Sequence, residues 1–328
     1  MSRDFHKCDT GDLDDTAYDA LMSGEIKRLR AQINEAAVCK LASSLNDGMP
    51  CVLEYPSEFV GSGALTGCAN PHARIRFEDG SPSWLLRVTR ISGFAVGLPV
   101  SLAEYLIRSE YATLKFLETT AVPAPRAYSF GIPSQGTDRN VGICFLLMKE
   151  LPGKPWDGQG DASKIWKASD RFVCLDPFGP FETPLAYYTA WAEEYLKLIA
   201  DGQLYPQFPV EAYLVYRFLQ NSSTQLSDPE GAFFLKHVDD KGDHLLVDDE
   251  QNITGIIDWQ MARIVPRREA FALSLISADM TALCNGRVSL SEKYVALGNA
   301  LRVKRPGLVS YTRDEKVRRF FWGLGPGA

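Results

Sequence analysis

Residues 237–259 alternate polar loops with short apolar stretches in the order expected of a β-hairpin. The polar loop reads HVDDKGDH, and it is followed by LLV, the polar turn DDEQN and ITGII, after which come Asp258 and Trp259. Two apolar strands joined by a short polar turn form a β-hairpin. Because a hairpin returns the chain to its starting point, Asp258 is predicted to lie beside the loop that carries Asp239 and His244.

Carboxylates that meet from two loops suit the chemistry of phosphoryl transfer. One carboxylate can orient or deprotonate a hydroxyl nucleophile, and another can hold Mg²⁺ on the phosphates of a nucleotide. A solvated acidic hairpin is the plain alternative, but the ordered features within 23 residues favour a site. A metal hydrolase is a remote alternative, since the further histidine ligands that it needs would have to come from His6 and His72.

The composition is that of an ordinary globular protein, with 45% hydrophobic and 23% charged residues. The net charge of −6 argues against a nucleic-acid partner. Seven scattered cysteines without a CxxC pair do not form a disulfide or zinc framework. The polar N-terminus and the absence of a long apolar stretch predict a soluble, cytoplasmic protein with no membrane partner.

Periodicity along the chain predicts an α+β fold with two lobes. A helix is expected over residues 24–45, strands over 73–77 and 84–88, a helix over 101–120 and a strand over 141–151. Helices are expected from Pro184 and Val210, with strands again over 232–260. We therefore expect an acidic arm and helix in residues 1–50, of which 1–20 form the flexible arm, a β-rich N-lobe in 51–152 and a mainly helical C-lobe in 153–328.

The segments HVDDKGDH and GIIDW resemble the catalytic core of the aminoglycoside phosphotransferase and choline-kinase-like family, whose pattern is H-G-D-x-x-x-x-N followed by I-D-W or I-D-F. The resemblance covers about residues 60–325 and is nearest to phosphotransferase-family proteins of filamentous fungi. It implies a protein-kinase-like bilobal fold and an ATP- and Mg²⁺-dependent kinase. In that resemblance Asp239 is the catalytic base or orients the nucleophile, His237 braces the loop and Asp258 binds Mg²⁺.

The chain departs from the family pattern at two positions of this core. His244 replaces the asparagine that helps to hold the metal, and imidazole is a poor ligand for Mg²⁺. Asp243, the preceding residue, could take that role instead. Val238 replaces the glycine after the first histidine. A catalytically impaired pseudokinase that binds nucleotide or a partner is therefore the main alternative to an active enzyme.

The same resemblance implies nucleotide-binding positions upstream. Gly67 and Asn70 belong to a turn that would cover the phosphates, with a simple hairpin as the alternative. Arg87 occupies the place of the usual phosphate-binding lysine, and Glu110 on the following helix is its candidate partner, although Glu104 and Glu118 lie on the same helix. The hinge that would hold the adenine includes Met148 and Glu150.

The acceptor, the basic residues after Trp259 and one aromatic cluster complete the predictions from the sequence. The acceptor is expected to be a hydroxyl group of a small molecule, and neither its identity nor the oligomeric state follows from the sequence. Basic residues after Trp259, including Arg263 and Arg267, are interpreted as solvated loop charges rather than phosphate ligands. The aromatic residues Tyr187, Tyr188 and Trp191 are interpreted as core packing.

Overall fold

The structure, a computed structural model, describes residues 15–56, 70–90, 100–156, 179–226, 228, 231–240, 242–271, 276–277 and 290–313. The chain divides into two compact units. The first contains the described residues up to 156 together with 242–261, and the second contains the described residues from 179 to 240 and from 262 to 313. The units thus interleave along the chain, whereas the sequence analysis places one contiguous boundary between residues 152 and 153.

A five-stranded antiparallel sheet forms the centre of the first unit. Its strands are β1 (Cys51–Glu54), β2 (His72–Phe77), β3 (Trp84–Val88), β4 (Ala127–Gly131) and β5 (Phe145–Lys149), in the order β1-β2-β3-β5-β4. The predicted strands at 73–77 and 84–88 are therefore present. Side chains alternate between the two faces of a strand. Leu86 and Val88 of β3 join a buried apolar cluster on one face, and Arg87 points to the other.

Two helices cover the apolar face of this sheet, α1 (Asp15–Arg30) and α2 (Glu35–Leu45). The periodicity of the sequence predicts one helix over residues 24–45, and that prediction is wrong. Asn34 interrupts it, because its side-chain oxygen accepts a hydrogen bond from the Ala37 N–H at 3.2 Å and caps a new helix. The flexible arm predicted for residues 1–20 is also too long, since α1 begins at Asp15, and residues 1–14 lie outside the described residues.

The helix α3 (Val100–Leu117) follows β3 and ends three residues before the predicted limit. Its buried side recurs every three or four residues, as an amphipathic helix requires. One member of that side is charged, and the full set is Ala103, Ile107, Glu110, Leu114 and Leu117. The helix packs against β4 and against the 3₁₀ turn Trp259–Met261.

A small three-stranded sheet completes the first unit, with β8 (Leu245–Val247) between β6 (Lys154–Pro155) and β9 (Ile253–Ile256). The predicted hairpin is thus confirmed, with Leu245 opposite Ile256. It is tied to the rest of the unit by the Ile256 N–H, which donates to the Pro123 carbonyl at 2.8 Å. This hydrogen bond and the pairing of β8 with β6 explain why residues 242–261 belong to the first unit rather than to the second.

The second unit is mainly helical. The helices α4 (Pro184–Ala200) and α5 (Pro209–Ser222) pack together, and the strand β7 (Phe233–Lys236) pairs with β10 (Arg263–Pro266). The short helix α6 (Arg267–Ala270) and the helix α7 (Glu292–Lys304) follow. Tyr187 and Tyr188 are buried in the core and Trp191 packs against it, as predicted.

The α+β class is confirmed by a strand-rich first part and a helical later part. Among the described residues, no helix is both long and apolar enough to cross a bilayer.

Candidate active site

Arg87 is the centre of a buried ion-pair network in the first unit. Its Nη1 donates to Glu110 Oε1, and its Nη2 donates to Asp258 Oδ1 at 2.9 Å. Arg87 and Glu110 are each only 3% exposed. The predicted partner of Arg87 is therefore in contact with it, and the same guanidinium also reaches the carboxylate that the sequence analysis assigns to the metal.

Burial distinguishes Glu110 from Glu104 of the same helix and from Glu118, which follows the last residue of α3. Glu104 accepts a hydrogen bond from the Ser134 hydroxyl at 2.5 Å, and Glu118 pairs with Lys115 at 2.7 Å. Only the position of Glu110 falls within the apolar stripe of the helix. A carboxylate in such a stripe needs a cationic partner, since an unpaired buried charge is costly. That signal in the sequence could have selected Glu110 directly.

Gln260 is a further member of the network, and no motif in the sequence predicts it. Its Oε1 accepts from Arg87 Nη2 at 2.6 Å and from Asn70 Nδ2 at 2.8 Å, and both Gln260 and Asn70 are buried. Asn70 is thus connected to Arg87 through one amide oxygen. Gly67, the other predicted residue of this turn, lies outside the described residues.

The hairpin brings His244 and Asp258 together, as predicted. His244 ends the 3₁₀ turn Gly242–His244, and its carbonyl accepts a hydrogen bond from the Ile257 N–H at 2.9 Å. Its imidazole Nε2 lies 3.3 Å from Asp258 Oδ2. Asp243, the alternative metal ligand, is the partly exposed residue at the middle of this turn, and its role stays a prediction.

The carboxyl group of Asp258 is held in its ionised form. Burial would raise its pKa, but the Arg87 guanidinium and the His244 imidazole outweigh burial and lower the pKa to about 2. The backbone of Asp258 has a φ of +63°, a conformation that aspartate adopts more readily than most residues. This conformation and the contact with Arg87 fix the direction of the carboxylate.

His237 and Asp239 lie in the second unit, directly after β7. The Asp239 N–H donates to the His237 carbonyl at 2.9 Å, and Val238 between them has a φ of +71°. The strand before them is anchored by Lys236, whose buried Nζ donates to the Glu269 carbonyl at 2.8 Å. The backbone of this loop is therefore closely constrained, while the catalytic roles of His237 and Asp239 stay predictions.

The predicted hinge lies at the end of β5. Met148 is buried in the sheet, and the Glu150 carboxylate accepts two hydrogen bonds from Arg74 at 2.8 and 2.6 Å. The Glu150 N–H donates to the Ser83 carbonyl at 3.0 Å. The side chain and the amide N–H of Glu150 are thus engaged at the edge of the strands, and its part in adenine binding stays a prediction.

The basic residues after Trp259 are not solvated loop charges, contrary to the interpretation from the sequence. Arg263 pairs with Glu269 at 3.1 Å and lies over the Trp191 ring, with its guanidinium carbon 4.9 Å from the ring centroid. Arg267 lies 5.5 Å from the ring centroid of Phe234. These contacts give both residues a packing role within the second unit, because Arg stacks readily on aromatic faces.

Residues 72–294 match the phosphotransferase enzyme family, a range that includes every described residue of the two loops above. The chain belongs to this family. The match confirms the family suggested by the His237 and Asp258 motifs, and nothing in the comparisons supports the narrower fungal type. A search of curated proteins finds no match to the chain.

Solved structures similar to this phosphotransferase-family chain include three kinases or phosphotransferases. A macrolide 2′-phosphotransferase type I has 14% identity and a TM-score of 0.40, with 85% of this chain and 86% of that chain covered. An ethanolamine kinase from Plasmodium vivax has 11% identity and a TM-score of 0.45, with coverage of 78% and 71%. A choline kinase from Cryptosporidium parvum has 14% identity and a TM-score of 0.35, with coverage of 79% and 67%.

Membership of the phosphotransferase family implies a divalent cation, and the donor atoms of the hairpin fit one. Two ligands bound to one ion at about 2.1 Å lie roughly 3.0–3.4 Å apart for octahedral to tetrahedral angles. The 3.3 Å between His244 Nε2 and Asp258 Oδ2 falls within that range. The pair offers one ionised carboxylate oxygen and one imidazole nitrogen, so one of the two ligands is not the hard oxygen donor that the family pattern supplies.

Proposed function

We propose that this chain is an ATP-dependent phosphotransferase that transfers the γ-phosphate of ATP to a hydroxyl group of a small molecule. The observation that carries the proposal is the contact of the buried Arg87 guanidinium with the buried Glu110 and with the partly exposed Asp258. In kinases, a cation on the third strand that pairs with a glutamate of the following helix holds the phosphates. Family membership over residues 72–294 supports the same reaction type.

Within this proposal, Arg87 binds the nucleotide phosphates and Glu110 fixes the direction of its guanidinium. Asn70, through Gln260, stabilises that arrangement from the side of the phosphate-covering turn. Gly67 of the same turn would approach the phosphates with its backbone, as glycine permits. Met148 and Glu150 would hold the adenine through backbone groups.

The acceptor is activated from the loop after β7. Asp239 would accept the proton of the attacking hydroxyl or orient that hydroxyl, and His237 would brace the loop. Asp258 and His244, with Asp243 as a further candidate, would hold the divalent cation, for which the family resemblance implies Mg²⁺. When bound, the cation neutralises charge on the phosphates.

The acceptor class is a small hydroxyl compound, and the acidic loop favours one that carries positive charge. A nucleic acid is disfavoured by the net charge of −6. A reducing cytoplasm is the setting that the scattered cysteines favour, with Cys39, Cys51 and Cys144 present as free thiols.

A pseudokinase is the second candidate, and one observation favours it. The guanidinium of Arg87 bonds to Asp258 Oδ1, so that the carboxylate expected to bind metal already has a cationic partner within the chain itself. A pseudokinase would bind nucleotide, or a partner, without transferring phosphate.

Nucleotide-dependent thermal shift and ATP consumption distinguish the candidates. A ligand present at 100 times its Kd adds about 2.7 kcal/mol to stability, so ATP binding should raise the melting temperature of the full chain. Consumption of ATP with at least one compound of a hydroxyl-acceptor panel supports the enzyme. A shift without consumption favours the pseudokinase, and no shift with any nucleotide contradicts both.

The role of Asp239 has a matched control in the next residue. Asp239→Asn should abolish turnover and leave the nucleotide-dependent shift unchanged, because the amide cannot accept the proton. Asp240→Asn removes the same charge from the same loop and should keep turnover. Turnover that survives Asp239→Asn would remove this residue from the mechanism.

A further inference from the structure

The cation site of the hairpin presents one nitrogen and one oxygen, and both are fixed by the fold. The His244 backbone is held by the Ile257 N–H at 2.9 Å, next to the paired residues Leu245 and Ile256. Its side chain is buried. The imidazole Nε2 therefore faces Asp258 Oδ2 from a constrained backbone rather than from a free surface loop.

Arg87 determines which carboxylate oxygen is presented. Its Nη2 donates to Asp258 Oδ1 at 2.9 Å, and Oδ2 is the oxygen that faces His244. The guanidinium also offsets the negative charge of the carboxylate, which weakens a purely electrostatic attraction for a cation. A cation that gains most of its affinity from charge alone is therefore disfavoured here.

An imidazole nitrogen and a carboxylate oxygen differ in their affinity for the divalent cations. Mg²⁺ demands oxygen ligands in near-octahedral geometry and keeps several of its waters. Imidazole binds first-row transition metals far better, and affinity for a mixed nitrogen and oxygen site rises from Mn²⁺ to Co²⁺ and beyond. The carboxylate remains acceptable to both groups of ions, so the imidazole is the ligand that discriminates.

We infer that this site selects a first-row transition cation such as Mn²⁺ or Co²⁺ over Mg²⁺, and that His244 is the selecting residue. The inference rests on the proposed function, because it assigns the cation of that same site. It replaces the Mg²⁺ implied by the family resemblance with an ion chosen by the ligands of this particular chain.

The test compares metal binding by the full-length chain and two variants of His244, in the presence of ADP so that no turnover is needed. Titration calorimetry with Mg²⁺, Mn²⁺ and Co²⁺ gives the affinity of each ion. The unmodified chain is expected to bind Mn²⁺ and Co²⁺ at least about 10-fold more tightly than Mg²⁺, after correction for the metal affinity of ADP itself. His244→Asn restores the family residue and should remove most of that preference, and His244→Ala should weaken binding of the transition metals.

Electron spin-echo spectroscopy of bound Mn²⁺, without nucleotide, supplies a direct signature. Modulation from a histidine nitrogen is expected in the unmodified chain and should be lost in His244→Ala. Asp249→Asn is the control, since Asp249 is an exposed residue of the hairpin turn that pairs with Lys154. That variant should keep both the preference and the nitrogen signal.

Three results would overturn the inference: equal preference in the unmodified chain and His244→Asn, absence of nitrogen modulation, or no metal binding at all. The outcomes differ from those that test the proposed function. A chain that binds Mn²⁺ through His244 yet consumes no ATP would contradict the phosphotransferase and keep the metal assignment. Turnover with Mg²⁺ that is unchanged in His244→Ala would contradict the metal assignment and keep the phosphotransferase.

Discussion

Val238 is a β-branched residue in a backbone conformation that such residues avoid. Its φ is +71°, and the Asp239 N–H donates to the His237 carbonyl across it. A three-residue γ-turn with positive φ is rare and strained. The family pattern has glycine at this position, and glycine adopts positive φ without steric cost. The replacement by valine therefore stores strain between the two predicted catalytic residues.

The strain has a magnitude that a pair of substitutions can isolate. A β-carbon in the left-handed region costs about 1–2 kcal/mol. Glycine removes this cost but gives the unfolded chain more freedom, which costs about 0.4–1 kcal/mol. Val238→Ala and Val238→Gly both lose the two γ-methyl groups, so the packing loss cancels in their comparison. We expect the glycine variant to be the more stable of the two by about 1 kcal/mol.

Equilibrium unfolding in urea, followed by far-UV circular dichroism, measures that difference. Val215 provides the control, because it is a half-exposed valine within the helix α5. There the glycine variant should be less stable than the alanine variant by about 1 kcal/mol. The two positions thus predict opposite signs for the same substitutions. If Val238→Ala is as stable as Val238→Gly, or more stable, the strain argument is wrong.

Three further predictions concern the first unit. Arg90 Nη2 donates to Glu25 Oε2 in a buried pair, so Arg90→Met should lower the free energy of unfolding in urea by about 3–5 kcal/mol. The double variant Arg90→Met with Glu25→Leu should recover much of that loss, because it leaves no unpaired buried charge. Asp258→Asn should keep the left-handed backbone but abolish metal binding in calorimetry, because the amide lacks the negative charge. Gly153→Ala should lower the urea midpoint by a margin that corresponds to about 1–3 kcal/mol, since φ is +112° and the new β-carbon would lie 2.4 Å from Thr254 Oγ1. An unchanged midpoint in the first or third case, or metal binding that persists in the second, would contradict the corresponding prediction.

The parts of the site that follow from local periodicity of apolar and polar residues could be predicted from the sequence. The hairpin follows from two apolar strands around a polar turn, and this alone places Asp258 against the turn that contains His244. The pairing of Arg87 with Glu110 follows from strand alternation and from a carboxylate within the apolar stripe of a helix. In both cases the determining contacts are encoded by short-range periodicity.

The parts that depend on long-range contacts could not be predicted. Gln260 is joined to Asn70, 190 residues earlier, and no periodicity marks an isolated glutamine as buried. The separation of α1 from α2 depends on Asn34, which caps a helix here but is tolerated inside many others. The interleaving of the two units depends on the pairing of β6 with β8, a register that only the folded chain fixes.

Arg87 and His244, two departures from the family pattern, both contact the carboxylate of Asp258, so their effects on that group are not independent. In the sequence, arginine in place of the usual lysine and histidine in place of asparagine are independent substitutions 157 positions apart. In the structure, Arg87 contacts Oδ1 of Asp258 and His244 faces Oδ2 of the same group. Residues that share a partner are energetically coupled, by about 0.5–3 kcal/mol. Arg87→Lys and His244→Asn should therefore act non-additively on metal affinity, because each changes the charge and geometry that the other meets at Asp258.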